Sequence, residues 1–269
     1  PLEAVETNAF WACDEKIIRE RLAALDEAGM DRLTISADPY HQQFIPIERV
    51  RLLARVGEDV LGSGRIRIRW RDWAEKGFDT DSLSPRQRKR VFSNYARSGR
   101  DRLAGRAAAE LAGFLPMKPA SIFADKHCWD RLLRSRHVHI DGGGVVCPGT
   151  CAGIVLGRVT NADSVGRLWQ NLRRNFADMN NRGAGNPYIG LLNSVQDGAG
   201  SNHVSPTNVL RLLAHSGPVA LMAAAGSLGY HERDEGYAGR CHLCWSVRQW
   251  LFENGYFHDS LGPAGVYRP

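Results

Sequence analysis

Leu33-Thr34-Ile35-Ser36-Ala37-Asp38-Pro39-Tyr40-His41 is the stretch that decides how the first part of this chain folds. Leu33 to Ser36 is a short β-favouring run, Ala37-Asp38-Pro39 turns the chain, and a new helix is expected to begin near Pro46. Upstream, Ile17, Ile18, Leu22 and Leu25 recur at helical spacing; Asp14 or the preceding Cys13 would start that helix and Gly29 would stop it. Leu2 to Phe10 before it has extended character. Downstream, Ile66, Ile68 and Trp70 alternate with Arg67 and Arg69 in the two-residue period of a strand from Arg65 to Trp70. Strands spaced by single helices imply parallel pairing with right-handed crossovers. The fold class expected is α/β: a partial (β/α) barrel of parallel strands followed by a small hairpin-plus-helices metal- or cluster-binding domain. A complete eight-stranded barrel needs roughly 250 residues, so the expectation is of the later part of one.

The character changes further along. Phe114 to Pro119 closes the α/β pattern, which sets expected domains at 1–120 and 121–269. Val138-His139-Ile140, Asp141 with three glycines, and Val145-Val146-Cys147 read as a hairpin. Helical patterns return at Val165 to Phe176, around Tyr188 to Val195, in Thr207 to Ala214 and from Cys244 to Phe252, with a polar loop at Met179 to Asn186.

Composition narrows the classes. The 269 residues carry 35 basic and 29 acidic groups, a formal +6, which tolerates an anionic partner without requiring one. Arg86-Gln87-Arg88-Lys89-Arg90 has no regular aromatic interleaving, so a solvated helix face is read there in preference to a nucleic-acid patch. No stretch approaches about 18 uninterrupted apolar residues, so no membrane span is expected. The absence of a secretory leader is read as no support for export, and six cysteines, too few for a disulfide-dense fold and clustered in the latter part, favour a reducing, cytoplasmic setting.

Four of those cysteines carry the main chemical signal: Cys128, Cys147, Cys241 and Cys244, the last two forming Cys-x-x-Cys. Four thiolates can complete an iron–sulfur cluster or a tetrahedral zinc site, tying a hairpin to a distant helix start. Cys151 is a further candidate. The plainer alternatives are scattered core thiols or a redox Cys-x-x-Cys, although the latter lacks a thioredoxin-like strand and helix beside it. Cys13 stands apart as a small buried residue.

Among the other polar positions, Ser36 and Asp38 lie where a strand leaves its C-terminal end and suit a ribose or amino-acid moiety, with His41 to orient it or act as a base. The competing reading is an Asx turn in which Asp38 caps the next helix. Glu6-Thr7-Asn8 occupies the same level of the preceding strand. Capping and packing roles are read for Arg67 and Arg69, and structural or surface roles for His137 and His139. Asp163 reads as a helix cap.

Taken together these residues resemble the later part of a radical S-adenosylmethionine enzyme with a C-terminal auxiliary-cluster domain of the twitch or SPASM type. Glu6-Thr7-Asn8-Ala9 looks like the third barrel strand of that family and Ile35-Ser36-Ala37-Asp38 like its fourth. Cys128 is followed after thirteen residues by Gly142 and after four more by Cys147, which matches the family's auxiliary pattern. The resemblance implies an auxiliary [4Fe–4S] cluster on Cys128, Cys147, Cys241 and Cys244, with Cys151 as a replacement ligand. It also implies S-adenosylmethionine contacts at Glu6, Asn8, Ser36, Asp38 and His41 in a full-length protein, an external electron donor, and a peptide or small polar substrate. The family's N-terminal three-cysteine motif does not occur in these 269 residues, so a C-terminal portion of such an enzyme is expected. The alternative is a non-catalytic zinc- or cluster-stabilised module that binds peptide or nucleic acid.

Overall fold

The computed structural model describes residues 2–77, 82–133, 138–149, 151–161, 164–171 and 206–267. The chain forms two compact units, residues 1–95 and 96–269.

The first unit runs β1 (Leu2–Thr7), α1 (Glu15–Glu27), β2 (Met30–Ser36), α2 (Pro39–Gln42), α3 (Ile47–Leu61), β3 (Ile66–Arg69), α4 (Arg71–Lys76) and into α5 (Pro85–Arg97). Local chemistry sets the boundaries. Asp14 Oδ1 accepts from the Ile17 amide at 3.0 Å to start α1, and Gly29 carries the chain out of it at φ +83°. The three strands are parallel in the order β1-β2-β3. In-register rows share a face, so Val5–Leu33–Ile66 and Thr7–Ile35–Ile68 line one side. The apolar members of these rows join a core with Ile18 and Leu22 of α1 and Val50 and Leu53 of α3, and the two helices touch each other. The opposite face carries Glu6–Thr34–Arg67 and the Ser36–Arg69 pair.

The barrel expected from the sequence is not formed. β2 lies between β1 and β3, so the sheet ends at two outer strands and does not close on itself. The βαβ pattern is common to barrels and open sheets. Closure requires further strands at matching tilt and shear, and β1 to β3 are the whole of this sheet among the described residues.

The second unit contains α6 (Arg106–Leu111), α7 (Trp129–Leu133), β4 (Val138–Ile140), β5 (Val145–Pro148), β6 (Gly157–Arg158), α8 (Pro206–His215), α9 (Gly217–Gly226), α10 (Arg240–Glu253) and α11 (Ala264–Tyr267); residues 164–171 are helical as well. The predicted helix at 188–195, the loop at 179–186, His137 and Asp163 lie outside the described residues. The hairpin is antiparallel, with His139 opposite Cys147. Its turn is organised by Asp141, whose Oδ1 accepts from the amides of Gly143 at 2.9 Å and Val145 at 2.8 Å. β6 pairs on the other side of β5.

Leu210, Leu213, Leu221, Leu243, Val247 and Leu251 form the centre of this unit's core. α10 is buried on most of its surface, including His242, Cys244, Ser246 and Arg248, as expected for a central helix. An auxiliary-cluster domain of the SPASM or twitch type is not what the unit builds: a three-stranded antiparallel sheet and helices enclose an apolar core.

Burying His242 has a measurable cost. Its ring is 2% exposed, its Nδ1 accepts from the Ala238 amide at 3.1 Å, and a second ring proton would remove that acceptor. Burial, then the positive charge of Arg233, hold the imidazole down to about 4 from 6.5, with Glu235 pulling the other way. Above pH 6.5 the folded and unfolded rings are both neutral. Between that value and about 4 the unfolded ring binds a proton that the folded ring refuses, so stability falls on acidification by at most about 3 kcal/mol. Urea unfolding at neutral and mildly acidic pH should show a smaller acid loss for His242→Gln than for the parent protein; equal losses would place the sensitivity elsewhere.

Candidate functional site

The chain leaving β2 turns at Ala37 and Asp38, and Asp38 becomes the N-cap of α2. Its Oδ1 accepts from the amides of Tyr40 at 3.0 Å and His41 at 3.2 Å. Its Oδ2 accepts from His41 Nδ1 at 2.5 Å. The carboxylate side chain is 4% exposed and the imidazole 38%. Asp38 therefore caps the helix, as the sequence suggested, and also orients His41, a pairing the sequence reading did not make. A carboxylate on Nδ1 fixes the ring's rotation, assigns Nδ1 as the protonated nitrogen in the neutral ring and stabilises the imidazolium when a second proton arrives. Gln42 steadies the turn from behind, donating through Nε2 to the carbonyls of Ala37 at 2.8 Å and Trp73 at 3.0 Å.

At the neighbouring strand exits, Glu6 Oε2 of β1 meets Arg69 Nη1 of β3 at 3.3 Å, reaching across β2 on the polar face. The Arg69 guanidinium also lies over the Trp70 ring, 4.5 Å from its centroid. Ser36 is buried and in register with Arg69. Asn8 has a local role, its Oδ1 accepting from the Phe10 amide at 3.2 Å. Two non-glycine residues at these exits adopt the left-handed region, Ala9 at φ +65° after β1 and Trp70 at φ +59° after β3. Each costs on the order of 1 kcal/mol, a strain concentrated at the end of the sheet where open α/β folds bind ligands.

The cysteines assemble differently from the expected set. Burial pushes Cys128 up to about 12, and the nearby thiols of Cys244, Cys151 and Cys241 push the same way. Cys151 is raised to about 11, by burial first and by Cys244 next. Cys147 belongs elsewhere: its thiol is raised by burial, takes a hydrogen bond from the Gly153 backbone, and has Asp141 and Arg248 as its charged neighbours. Cys13 is exposed rather than buried.

Charge is felt over many ångströms, whereas a metal–sulfur bond is about 2.3 Å long. Among the described residues no three Cys, His, Asp or Glu side chains are grouped so as to hold one metal ion. The expected [4Fe–4S] or zinc centre on Cys128, Cys147, Cys241 and Cys244, with Cys151 in reserve, is overturned by that geometry. No family model, curated protein or solved structure matches this chain. The likeness to radical S-adenosylmethionine enzymes is corrected with it, as are the cofactor set it implied and the metal-stabilised binding module offered as the alternative. The spacing from Cys128 through Gly142 to Cys147 reflects a glycine-bearing hairpin turn, a demand of backbone geometry that many folds share. Among the described residues no helix is long and apolar enough to cross a membrane.

Sequence reasoning did not find Gln42, the Glu6–Arg69 pair or Arg248. The alternation of Arg67 and Arg69 was the available signal for the second of these. The position of Arg248 four residues after Cys244 was the signal for the third. Gln42 offered none.

Proposed function

We propose that the polar exits of β1, β2 and β3 bind a small molecule carrying an anionic group and an acidic proton, and that His41, oriented by Asp38, exchanges that proton. The Asp38–His41 bond at 2.5 Å carries the reading. A buried carboxylate committed to one ring nitrogen is the arrangement by which imidazole serves as a general base. The guanidinium groups of Arg67 and Arg69, both on exposed residues of the sheet's polar face, supply positive charge for the anionic group. Glu6 holds Arg69 in the free protein, and a ligand anion would compete with that ion pair.

Small carboxylic acids in deuterated buffer provide the test. The expected results are a histidine ring NMR shift on ligand addition and deuterium incorporation at carbon next to a carbonyl. Asp38→Asn should slow the exchange by about 10²-fold or more by favouring the wrong tautomer. Arg69→Ala should weaken binding more than it slows exchange in the bound state. Neither a ring shift nor exchange with any such acid would sink the reading.

A further inference from the structure

The second unit buries a cation that no acid among the described residues neutralises, and the first unit's site makes no use of it. Arg248 of α10 is 2% exposed. One end of its guanidinium is well occupied: Nη1 donates to the carbonyl of Ala152 at 2.8 Å and to the Tyr267 hydroxyl at 2.9 Å. The Tyr267 hydroxyl passes its own proton to the Gly153 carbonyl at 2.5 Å, and the Tyr267 ring centroid lies 5.7 Å from the guanidinium carbon. The Nε–H is different. It is buried with no hydrogen-bond partner.

Every partner that Nη1 has is neutral. Ala152 offers a carbonyl, and burial keeps the Tyr267 phenol protonated up to about 12. The thiols nearest in the chain are Cys244, one turn before Arg248, and Cys151, beside Ala152; burial raises both, so neither is negative at neutral pH. The guanidinium itself does not give up its proton. A full charge in the interior carries a desolvation cost that carbonyl and hydroxyl dipoles offset only in part, and the orphaned Nε–H adds to it. A single anion beside Nε relieves both.

We propose that the Arg248 guanidinium binds a halide ion, chloride, at its Nε–H, as the counter-ion of the second unit's core. The donor set selects the class. Leu243, Val247 and Leu251 of the same helix are core residues, as is Tyr267, and the orphaned donor is one N–H. A carboxylate, phosphate or sulfate at that place would bring further oxygens into the core without donors for them. A monatomic anion matches one charge with one charge and has no other atom to satisfy. Because Arg248 is closed off from solvent, the ion is taken up as α10, the segment after β5 and α11 come together, so its binding is linked to folding.

Linkage fixes the sign of the effect: an ion bound only by the folded chain raises stability with the logarithm of its concentration. General salt effects run the other way, sulfate being the stronger stabiliser by exclusion from the surface. The test is thermal unfolding of the full chain at neutral pH as sodium chloride replaces sodium sulfate at low, constant ionic strength. The melting temperature should rise by a few degrees with chloride, and bromide should substitute for it. In the same titration the Arg248 Nε–H cross-peak of isotope-labelled protein should shift and saturate. Arg248→Met should lose the chloride effect and follow the general order, with sulfate above chloride, whereas Tyr267→Phe keeps the cation and should keep the effect. The cross-peak of the parent protein decides independently if Arg248→Met does not fold. A higher melting temperature in sulfate than in chloride, a cross-peak unmoved by either halide, or a chloride effect that survives in Arg248→Met would each overturn the proposal.

Discussion

Gly236→Ala is expected to destabilise the second unit by about 3 kcal/mol or more, enough to unfold much of the population in a domain of ordinary stability. Gly236 sits at φ +74°, where an L side chain costs about 1–2 kcal/mol. The space is also taken: a Cβ there would stand 2.4 Å from the Lys118 carbonyl oxygen. That oxygen accepts from the Tyr237 amide at 2.8 Å while the Lys118 amide donates to the Tyr237 carbonyl at 2.9 Å. Relieving the clash therefore breaks the backbone bridge that joins these two distant segments, and Tyr237, fully buried beside it, loses its seat. Chemical denaturation followed by tryptophan fluorescence measures the change. Gly142→Ala, in the hairpin turn with nothing within 4 Å of the added methyl and no positive φ, is the control and should change stability little. Similar losses in the two variants would refute the assignment.

Arg248→Ala should cost about 3–5 kcal/mol, because hydrogen bonds from a charged donor are worth about 1.5–3 kcal/mol each and the truncation leaves a cavity. The guanidinium donates to the Ala152 carbonyl at 2.8 Å and the Tyr267 hydroxyl at 2.9 Å. That hydroxyl in turn donates to the Gly153 carbonyl at 2.5 Å. One side chain of the central helix thus fixes both the loop after β5 and the C-terminal α11. Truncation leaves the Ala152 carbonyl without its donor and opens a void among groups that cannot follow it. Tyr267→Phe removes a single hydroxyl from the same network and should cost about 1–2 kcal/mol. Equilibrium unfolding of both variants tests the ordering, and a larger loss for Tyr267→Phe than for Arg248→Ala would show that the hydroxyl, not the cation, holds the segment.

What was legible in the sequence was local. The alternation in Ile66-Arg67-Ile68-Arg69 gave β3, Asp14 and Gly29 gave the ends of α1, and Asp141 followed by glycines gave the hairpin turn. Each is decided by neighbours a few residues away, through torsional preference and capping. The capping role of Asp38 was legible for the same reason, and the signal for its bond to His41, three positions on across a single helical turn, was also present but was not read. The pairing of Glu6 with Arg69 spans 63 positions and depends on strand register. Only the alternation hinted at it.

The cysteine reading failed on the same distinction. Spacing put Cys147 with Cys128, Cys241 and Cys244, yet β5 pairs Cys147 with His139 in the hairpin, and the chain after Pro148 brings Cys151 toward Cys244 instead. Residues four apart cannot both be assigned to a shared centre by counting, because the hairpin's exit direction chooses between them.

The sequence by itself determined the parallel strand–helix alternation of the first unit, the hairpin of the second, and the Asp38 turn that caps the next helix. It did so because hydrophobic period, turn chemistry and capping act over a few residues of chain. The tertiary structure alone decided that the sheet stays open, that Glu6 meets Arg69, and that Arg248 is buried among thiols with no metal-holding group formed around it. Those outcomes follow from how distant segments exclude water together and satisfy one another's buried polar groups, a balance that no short window of sequence contains.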